Sequence, residues 1–292
     1  SRRSGISDFY LYSIEDRQLQ LLVRDACTAE LSPDGSKIGF EREGDLFVYN
    51  IADKREKQLT DSGGENFYNG RFGWVYEEEF GLAQAWSWSP DSESIAYWQT
   101  DERNVNIFQM TDYSGQHPEY VKIPYPKVGD ENPKVRLGVV EIKNGNKQWM
   151  DLDIGEGYIP RIYWTSVDNQ LAVVHLNRPQ NHLKLTFHDT GTGKGRLVMQ
   201  EESNTWIDVF DFFAGINHLF FFPKDSKEFF WISDRDGYSH MYRYDYEGNL
   251  KNKVTDGNWE VTYVHTVDYG QKKIYYTSTE ASPLERHLYA ID

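Results

Sequence analysis

One sequence pattern recurs along this chain, and such recurrence is typical of repeat proteins. It consists of a Ser-Pro-Asp turn, or a degenerate version of one, followed by a short apolar run and then by a second run that ends in Tyr or Phe. Runs of this kind, separated by Pro, Asp and Gly, predict antiparallel strands joined by tight turns. The clearest copies lie at residues 31–40 and 88–98, and weaker copies at residues 162–174, 221–231 and 266–276.

Each copy supplies the strands of one propeller blade. An inner strand, a tight hairpin and two further strands are followed by a fourth strand, such as residues 57–59 or 252–254. Aromatic residues make up 15% of the chain, which suits half-buried pleated surfaces better than helices. We therefore predict an all-β fold, a β-propeller of four-stranded antiparallel blades that occupies residues 1–292 as one domain.

The spacing of the copies predicts two insertions and an incomplete first blade. Where copies lie farther apart than a blade of roughly 40 to 50 residues, residues 61–85 and 101–134 are left as extra segments. Residues 8–14 and 19–23 resemble the outer strands of a blade whose inner strands precede the chain. About six blades are thus represented, and because an open series of blades leaves unpaired edges, we expect further blades in the full protein or closure by the chain ends.

Charge and cysteine content argue against several classes of function. The formal net charge is −15 and no Lys/Arg cluster is present, so nucleic-acid binding is not expected. Cys27 is the only cysteine, which excludes an intramolecular disulfide and a Cys-based zinc site within this chain. No apolar run approaches the length of a membrane span, and the start at Ser1 rather than Met indicates an excised piece of a longer protein.

Motifs for catalysis or cofactor binding are missing from the sequence. It contains no Gly-x-Ser-x-Gly elbow and no His-Glu-x-x-His helix, so we predict no catalytic residue in this chain and no metal site. The glycine-rich residues 191–195 superficially resemble a phosphate-binding loop, but they follow a strand and open no helix. They predict a hairpin turn, and no cofactor is expected.

Three consecutive carboxylates, Glu77, Glu78 and Glu79, lie in the first insertion. Their neighbours include Trp74 and Tyr76, which indicates a segment held against the protein body, where like charges repel more strongly than in water. One interpretation is a plain surface helix with Glu in its first turn, where the helix dipole favours negative charge. The other is a pincer in which Glu78 and Glu79 hold a primary ammonium group. A free peptide amino terminus fits such a pincer, as an exopeptidase requires.

The segment around the Glu run resembles the double-glutamate motif of the dipeptidyl peptidase IV family. Asn69 and Gly70 followed by residues 74–79 carry the likeness. Other stretches resemble the propeller of that family in the same order, and together they cover nearly the whole chain: residues 88–97, 121–133, 158–164, 177–181 and 233–238.

The resemblance implies an architecture, a reaction and a set of site residues. The full protein would join an eight-bladed propeller to a C-terminal α/β-hydrolase domain, absent from this chain, that carries the catalytic Ser, Asp and His. It would release N-terminal dipeptides, preferably with Pro or Ala second. The residues assigned in this way are Glu78 and Glu79 for the substrate amino group, Arg2 (with Arg3 as a near alternative) for the substrate carbonyl region, Phe210 for the pocket, and Trp74, Tyr76 and Glu77 as supporting residues.

Departures from the family pattern leave other interpretations open. Asp211 stands where the family often has an Arg after the Phe, which leaves the outer substrate subsites open. An inactive relative that binds peptides or proteins without cleaving them is one alternative, and a relative that releases tripeptides is another. The presence of both Glu78 and Glu79 favours dipeptide release over the tripeptide alternative.

Two further expectations follow from the resemblance. The family forms homodimers to which an extended propeller hairpin contributes, and residues 101–125 are the candidate for that hairpin. The single cysteine and the likeness to bacterial members favour a periplasmic or cell-envelope location.

Overall fold

Antiparallel strands account for almost all of the regular structure. The computed structural model describes residues 5–209, 220–224 and 226–292, which contain 24 strands and one α-helix. The chain divides into two units, Ser1–Leu152 and Asp153–Asp292, each with its own sheets and core. None of the helical structure in these described ranges is long and apolar enough to cross a membrane.

Residues 5–152, the described part of the first unit, form thirteen strands and the helix. In chain order these are β1 (Ser7–Ser13), β2 (Gln18–Ala26), β3 (Thr28–Leu31), β4 (Lys37–Arg42), β5 (Asp45–Asn50), β6 (Arg55–Gln58), β7 (Phe67–Asn69), α1 (Trp74–Phe80), β8 (Trp86–Trp88), β9 (Ser94–Asp101), β10 (Ile107–Asp112), β11 (Glu119–Pro124), β12 (Lys134–Glu141) and β13 (Lys147–Trp149).

These strands form two full blades and two hairpins. Strands β3 to β6 pair in sequence order as a four-stranded sheet, while β1 with β2 and β10 with β11 form two-stranded hairpins. The hairpin β1–β2 matches the expected outer half of a first blade. The hairpin β10–β11 lies in the second predicted insertion.

The remaining sheet of this unit has five strands rather than the four expected of a blade. Its order is β13-β12-β9-β7, and β8 also pairs with β9. Strand β9 is long enough to take two partners along one edge, because Trp86–Trp88 pairs with its first half and Phe67–Asn69 with its second. The extra strand comes from the insertion that carries the Glu run.

The recurring Ser-Pro-Asp sequence forms the tight turns between strands. Ser32 Oγ donates to Asp34 Oδ1 (2.6 Å), and the same oxygen accepts the backbone N–H of Ser36 (3.0 Å). In the next copy Ser89 Oγ donates to Asp91 Oδ1 (2.5 Å). An Asp that accepts from its own turn replaces the hydrogen bonds that the backbone loses there, which explains why the motif is found at both of these turns.

The described residues of the second unit, 153–209, 220–224 and 226–292, form eleven strands. They are β14 (Tyr158–Trp164), β15 (Gln170–Leu176), β16 (His182–Asp189), β17 (Gly195–Glu202), β18 (Phe220–Phe221), β19 (Glu228–Ser233), β20 (His240–Asp245), β21 (Leu250–Lys253), β22 (Val261–Asp268), β23 (Lys273–Ser278) and β24 (His287–Ile291).

Two four-stranded sheets and one three-stranded sheet result, each paired in sequence order. The glycine-rich segment lies between β16 and β17, where Asp189 Oδ1 accepts the backbone N–H of Thr192 (2.7 Å). The predicted hairpin turn is therefore confirmed. The prediction of an all-β fold of antiparallel blades, about six of them, with one short helix at the Glu run is also confirmed.

The cores lie between neighbouring sheets. In the first unit Leu46 and Val48 of β5 pack with Trp86, Trp88 and Ile95 of the five-stranded sheet, all nearly inaccessible to solvent. In the second unit a cluster from β19 and β20 packs against β22 and β23, with Phe230, Ile232, Met241, Val261, Val264, Ile274 and Tyr276 as members. Face-to-face packing of successive small sheets is the packing of propeller blades.

Candidate functional site

The Glu run lies in the second half of a seven-residue helix with defined ends. Gly73 precedes α1 in an extended conformation, and because glycine has no side chain, it makes no capping hydrogen bond to the first turn. Gly81 ends the helix because it takes the left-handed conformation (φ 63°), which glycine adopts without steric cost. The Leu82 N–H then donates to the Tyr76 carbonyl (3.2 Å). The helix thus ends one residue after the last of its three carboxylates.

Aromatic packing decides which face of α1 is buried. Tyr76 is 1% exposed and stacks on Phe72 with ring centroids 4.7 Å apart, while Phe80 meets Tyr76 edge-on at 5.3 Å. Phe72 in turn meets Trp98 of β9 edge-on at 5.2 Å. This packing supports Tyr76 as the residue that holds the helix against the protein body.

The three carboxylates of α1 lie on the opposite face. Glu77, Glu78 and Glu79 are all exposed, although the residues on either side of them are buried. Their mutual repulsion is consequently screened by water, whereas the sequence indicated a more enclosed setting. Two adjacent, accessible carboxylates on a rigid support are suited to bind a cation from solution.

The first residue of α1 contacts the base of the long hairpin. The ring centroid of Trp74 lies 4.2 Å from that of Tyr125, and Tyr125 lies 5.6 Å from Phe108 on β10. The Tyr125 N–H donates to the Asn106 carbonyl (2.8 Å), which closes the hairpin at its base. Trp74, predicted as a supporting residue, therefore links the two insertions.

A chain of hydrogen bonds fixes the loop that leads into α1. Asp45 Oδ1 accepts from Thr60 Oγ1 (2.7 Å) and from Asn69 Nδ2 (2.8 Å). Asn69 Oδ1 accepts from Gln99 Nε2 (2.7 Å), and Gln99 Oε1 accepts from Arg136 Nε (2.6 Å). Because Asp45, Asn69 and Gln99 are buried, these bonds gain strength from the low local dielectric. Asn69 of the motif is thereby tied to β5 and β9.

A buried carboxyl group lies behind the start of the helix. Glu102 is 3% exposed, and its Oε1 has no hydrogen-bond partner among the described residues. Burial raises its pKa to about 7, an effect that the charge of Arg71 reduces and that of Glu77 increases. The Glu102 side chain is thus largely protonated in mildly acidic solution. Sequence reasoning missed it, because Glu102 follows the polar residues 99–101 at the end of β9, where a carboxylate is normally solvated.

A second group of polar side chains lies near Arg71. The Arg71 guanidinium stacks on the Tyr68 ring (4.3 Å to the centroid), and Nη1 lies 3.9 Å from Cys27 Sγ. Burial, together with the hydrogen bond and charge of Glu41, raises the pKa of the Cys27 thiol to about 11. A thiol with so high a pKa is a poor nucleophile, so Cys27 is a structural residue.

The other predicted site residues lie outside the described residues. These are Arg2, its alternative Arg3, and Phe210. Within residues 5–209, 220–224 and 226–292 no group of three or more His, Cys, Asp or Glu side chains is arranged to hold a metal ion. The described part of the candidate site is therefore α1 and its supports.

Comparison with known proteins places the chain in a family. The model of the dipeptidyl peptidase IV (DPP IV) N-terminal region matches residues 1–292. The chain belongs to this family. The resemblance that the motifs around Glu78 and Glu79 indicate is therefore confirmed along the whole chain.

Relatives of this DPP IV N-terminal region are similar over nearly the whole chain. A probable dipeptidyl peptidase 4 of Emericella nidulans is 28% identical over 99% of the chain, and one of Aspergillus flavus is 30% identical over 99%. The crystal structure of Porphyromonas gingivalis dipeptidyl peptidase 4 matches 97% of the chain with a TM-score of 0.87 and 32% identity. The chain spans only 40% of the length of the Emericella and Porphyromonas proteins.

Proposed function

We propose that this chain is the substrate-recognising propeller of a serine dipeptidyl peptidase, and that Glu78 and Glu79 bind the free amino terminus of the peptide. The observation that carries the proposal is the pair of adjacent exposed carboxylates on a helix whose other face is locked by Tyr76 and Phe80. A primary ammonium group offers three donors and one positive charge, which two carboxylates satisfy together. The net charge of −15 also attracts cationic ligands.

A rigid amino-terminus site explains why an enzyme would cut at a fixed distance from the chain end. The packing of Tyr76 on Phe72, and of Phe72 on Trp98, holds in place the helix from which the two carboxylates project. A peptide held by its ammonium group then presents one particular peptide bond to a catalytic group at a set distance. Dipeptide release with Pro or Ala second is the specificity that we propose for this site.

The catalytic group belongs, in this proposal, to a C-terminal α/β-hydrolase domain. The chain spans 40% of the length of its relatives, which leaves room for such a domain in the full protein. A Ser-His-Asp triad there would act on the substrate that the propeller positions. The propeller on its own is expected to be inactive.

The assay uses the full-length protein and a Gly-Pro reporter substrate. Glu78→Ala and Glu79→Ala are each expected to lower kcat/KM by about 100-fold or more, equivalent to ~3 kcal/mol, the scale of losing a partner for a desolvated charge. Glu65→Ala is the matched control, because Glu65 is an exposed Glu of the same insertion that is not on α1. Unchanged kinetics in both helix variants would show that Glu78 and Glu79 do not bind the substrate amino terminus.

Two alternatives are tested by the same assay. An inactive relative would bind peptides and leave the reporter uncut at any enzyme concentration. A tripeptide-releasing relative would cleave a reporter with three residues ahead of the scissile bond faster than the Gly-Pro reporter. The adjacent pair on α1 favours the shorter product, because both carboxylates would grip one ammonium group close to the helix.

We also propose that the full protein is a homodimer in the cell envelope. The hairpin β10–β11 carries several exposed apolar side chains, a composition that suits a protein interface: Ile107, Phe108, Met110, Tyr113, Tyr120 and Val121. The envelope location rests on the single cysteine and on the likeness to the bacterial enzyme of P. gingivalis. Cell fractionation of the native organism tests it, and recovery of the enzyme with cytoplasmic markers would contradict it.

A further inference from the structure

The backbone around Glu102 is held at two points. Its N–H donates to the Asn66 carbonyl (2.8 Å), and its carbonyl accepts the N–H of Val105 (2.9 Å). Asn66 immediately precedes β7 and Glu102 immediately follows β9, so the residue lies where the two insertions leave the five-stranded sheet. Its side chain has little freedom to turn away, since it is 3% exposed.

The carboxyl group of Glu102 packs directly against Gly73. A Cβ atom added at Gly73 would overlap both carboxyl oxygens of Glu102. Gly73 has φ −98° and ψ −172°, an extended conformation that any residue adopts. Glycine at this position is therefore required by the neighbouring carboxyl group and not by the backbone conformation. Gly73 is also the residue from which α1 starts.

The charges near Glu102 are those of Arg71 and Glu77, and Tyr68 is a further titratable neighbour. With Oε1 unpaired and water excluded, a neutral carboxyl group is the form that fits this position. A neutral group also adds no repulsion to Glu77 at the beginning of the acidic run. The Glu102 carboxyl group consequently acts on Gly73 through van der Waals contact and not through charge.

We propose that Glu102 is a positioning residue for amino-terminus binding: its carboxyl group supports the chain at Gly73 and so sets the direction in which Glu78 and Glu79 project. This inference rests on the proposed function of those two residues. Glu102 does not touch the substrate. Its effect is therefore on KM for substrates with a free amino group, with kcat little changed.

A double-mutant cycle in the full-length enzyme tests the contact. Gly73→Ala adds a methyl group where the carboxyl group lies, which displaces the start of α1, and we expect KM for a Gly-Pro reporter to rise about tenfold or more. Glu102→Ala removes the support and is expected to raise KM about threefold. The double variant has room for the methyl group, so its KM should return to about that of Glu102→Ala, about threefold above wild type.

Two further variants separate positioning from a general loss of structure. Glu102→Gln keeps the size and neutrality of the group and is expected to keep KM within about twofold of wild type. Glu247→Gln is the control, because Glu247 is an exposed residue of the second unit. If Gly73→Ala leaves KM unchanged, or if Glu102→Ala fails to relieve its effect, the proposal is wrong.

The failure of this inference is distinguishable from a failure of the proposed function. If Glu78→Ala and Glu79→Ala have wild-type kinetics, the amino-terminus role itself is absent, whatever the cycle gives. If those variants are impaired while Gly73→Ala and Glu102→Ala change KM independently of each other, only the positioning role of Glu102 is refuted. Melting temperatures of all four cycle members show whether a change in KM accompanies unfolding.

Discussion

Trp74 at the start of α1 packs on Tyr125 at the base of the β10–β11 hairpin, with their ring centroids 4.2 Å apart. The helix with the carboxylates and the long hairpin come from different insertions of the propeller, so this contact ties them together. The contact joins the helix that we propose as the amino-terminus site to the hairpin that we propose for dimerisation.

Loss of the Tyr125 ring should weaken peptide binding. In the full-length enzyme Tyr125→Ala is expected to raise KM about three- to tenfold, because an aromatic pair is worth roughly 0.5–1.5 kcal/mol beyond its buried area. Tyr125→Phe should behave as wild type, since the ring is retained. Tyr113→Ala is the matched control, because Tyr113 lies on the same hairpin and is 76% exposed. An unchanged KM for Tyr125→Ala would show that this contact does not position α1.

The sequence predicted those features that depend on neighbouring residues. The turn at Ser32 and Asp34 is local, and so is the hairpin turn that the glycine-rich residues 191–195 form. Features that depend on distant residues were missed. Strand β7 is only three residues long and joins β9 through a pairing that no local pattern encodes.

The candidate site likewise has some features that the sequence predicts and others that depend on distant residues. The resemblance pointed to Glu78 and Glu79, and the helical setting followed from their neighbours. The exposure of these carboxylates and the burial of Glu102 depend on how two insertions meet the five-stranded sheet. A charged residue after an apolar strand is usually solvated, so the position of Glu102 behind Gly73 could not be derived from its type.

The buried carboxyl group of Glu102 should make stability depend on pH. Burial raises its pKa from 4.5 to about 7, opposed by Arg71 and assisted by Glu77, with Tyr68 as a further neighbour. Between pH 4.5 and 7 the folded protein keeps a proton that the unfolded chain has released. The contribution of Glu102 to the free energy of unfolding is therefore intact below pH 4.5 and declines as the pH rises to 7.

Urea unfolding of wild type and Glu102→Gln at several pH values measures this effect. The variant stays neutral, so its stability relative to wild type should grow by up to ~3 kcal/mol as the pH rises through that range. Burial, with His188 and Lys184, lowers the pKa of His175 to about 4, so His175 contributes with the opposite sign. That contribution is common to both proteins and cancels. Parallel curves for the two proteins would contradict the assignment.

Glu201 should be a major stabilising residue of the second unit. Its carboxylate accepts from Trp231 Nε1 (2.7 Å) and Ser233 Oγ (2.6 Å) and pairs with Arg235. Glu201→Ala leaves these buried donors unpaired, and we expect the free energy of unfolding to fall by about 3–5 kcal/mol. Glu202→Ala, at the exposed neighbouring position, should cost less than about 1 kcal/mol. Equal losses in urea unfolding would refute the role of the network.

The β10–β11 hairpin should carry the dimer contact of the full protein. Met110 and Val121 form a cross-strand pair, and both are about half exposed. Met110→Asp places a charge in the proposed apolar interface, so the protein is expected to become a monomer in sedimentation velocity experiments. Leu250→Asp is the control, because Leu250 is 51% exposed on β21 of the other unit. A dimer that persists in Met110→Asp would exclude this surface.

The proposed interaction between the carboxylates of α1 and a peptide amino group is tested by a substrate-enzyme cycle. The full-length enzyme and its Glu78→Ala and Glu79→Ala variants are assayed with a Gly-Pro reporter and with the same reporter lacking the amino group. We predict that each variant loses about 100-fold in kcat/KM on the amino substrate and less than about threefold on the des-amino substrate. Equal losses on both substrates would contradict recognition of the amino terminus by Glu78 and Glu79.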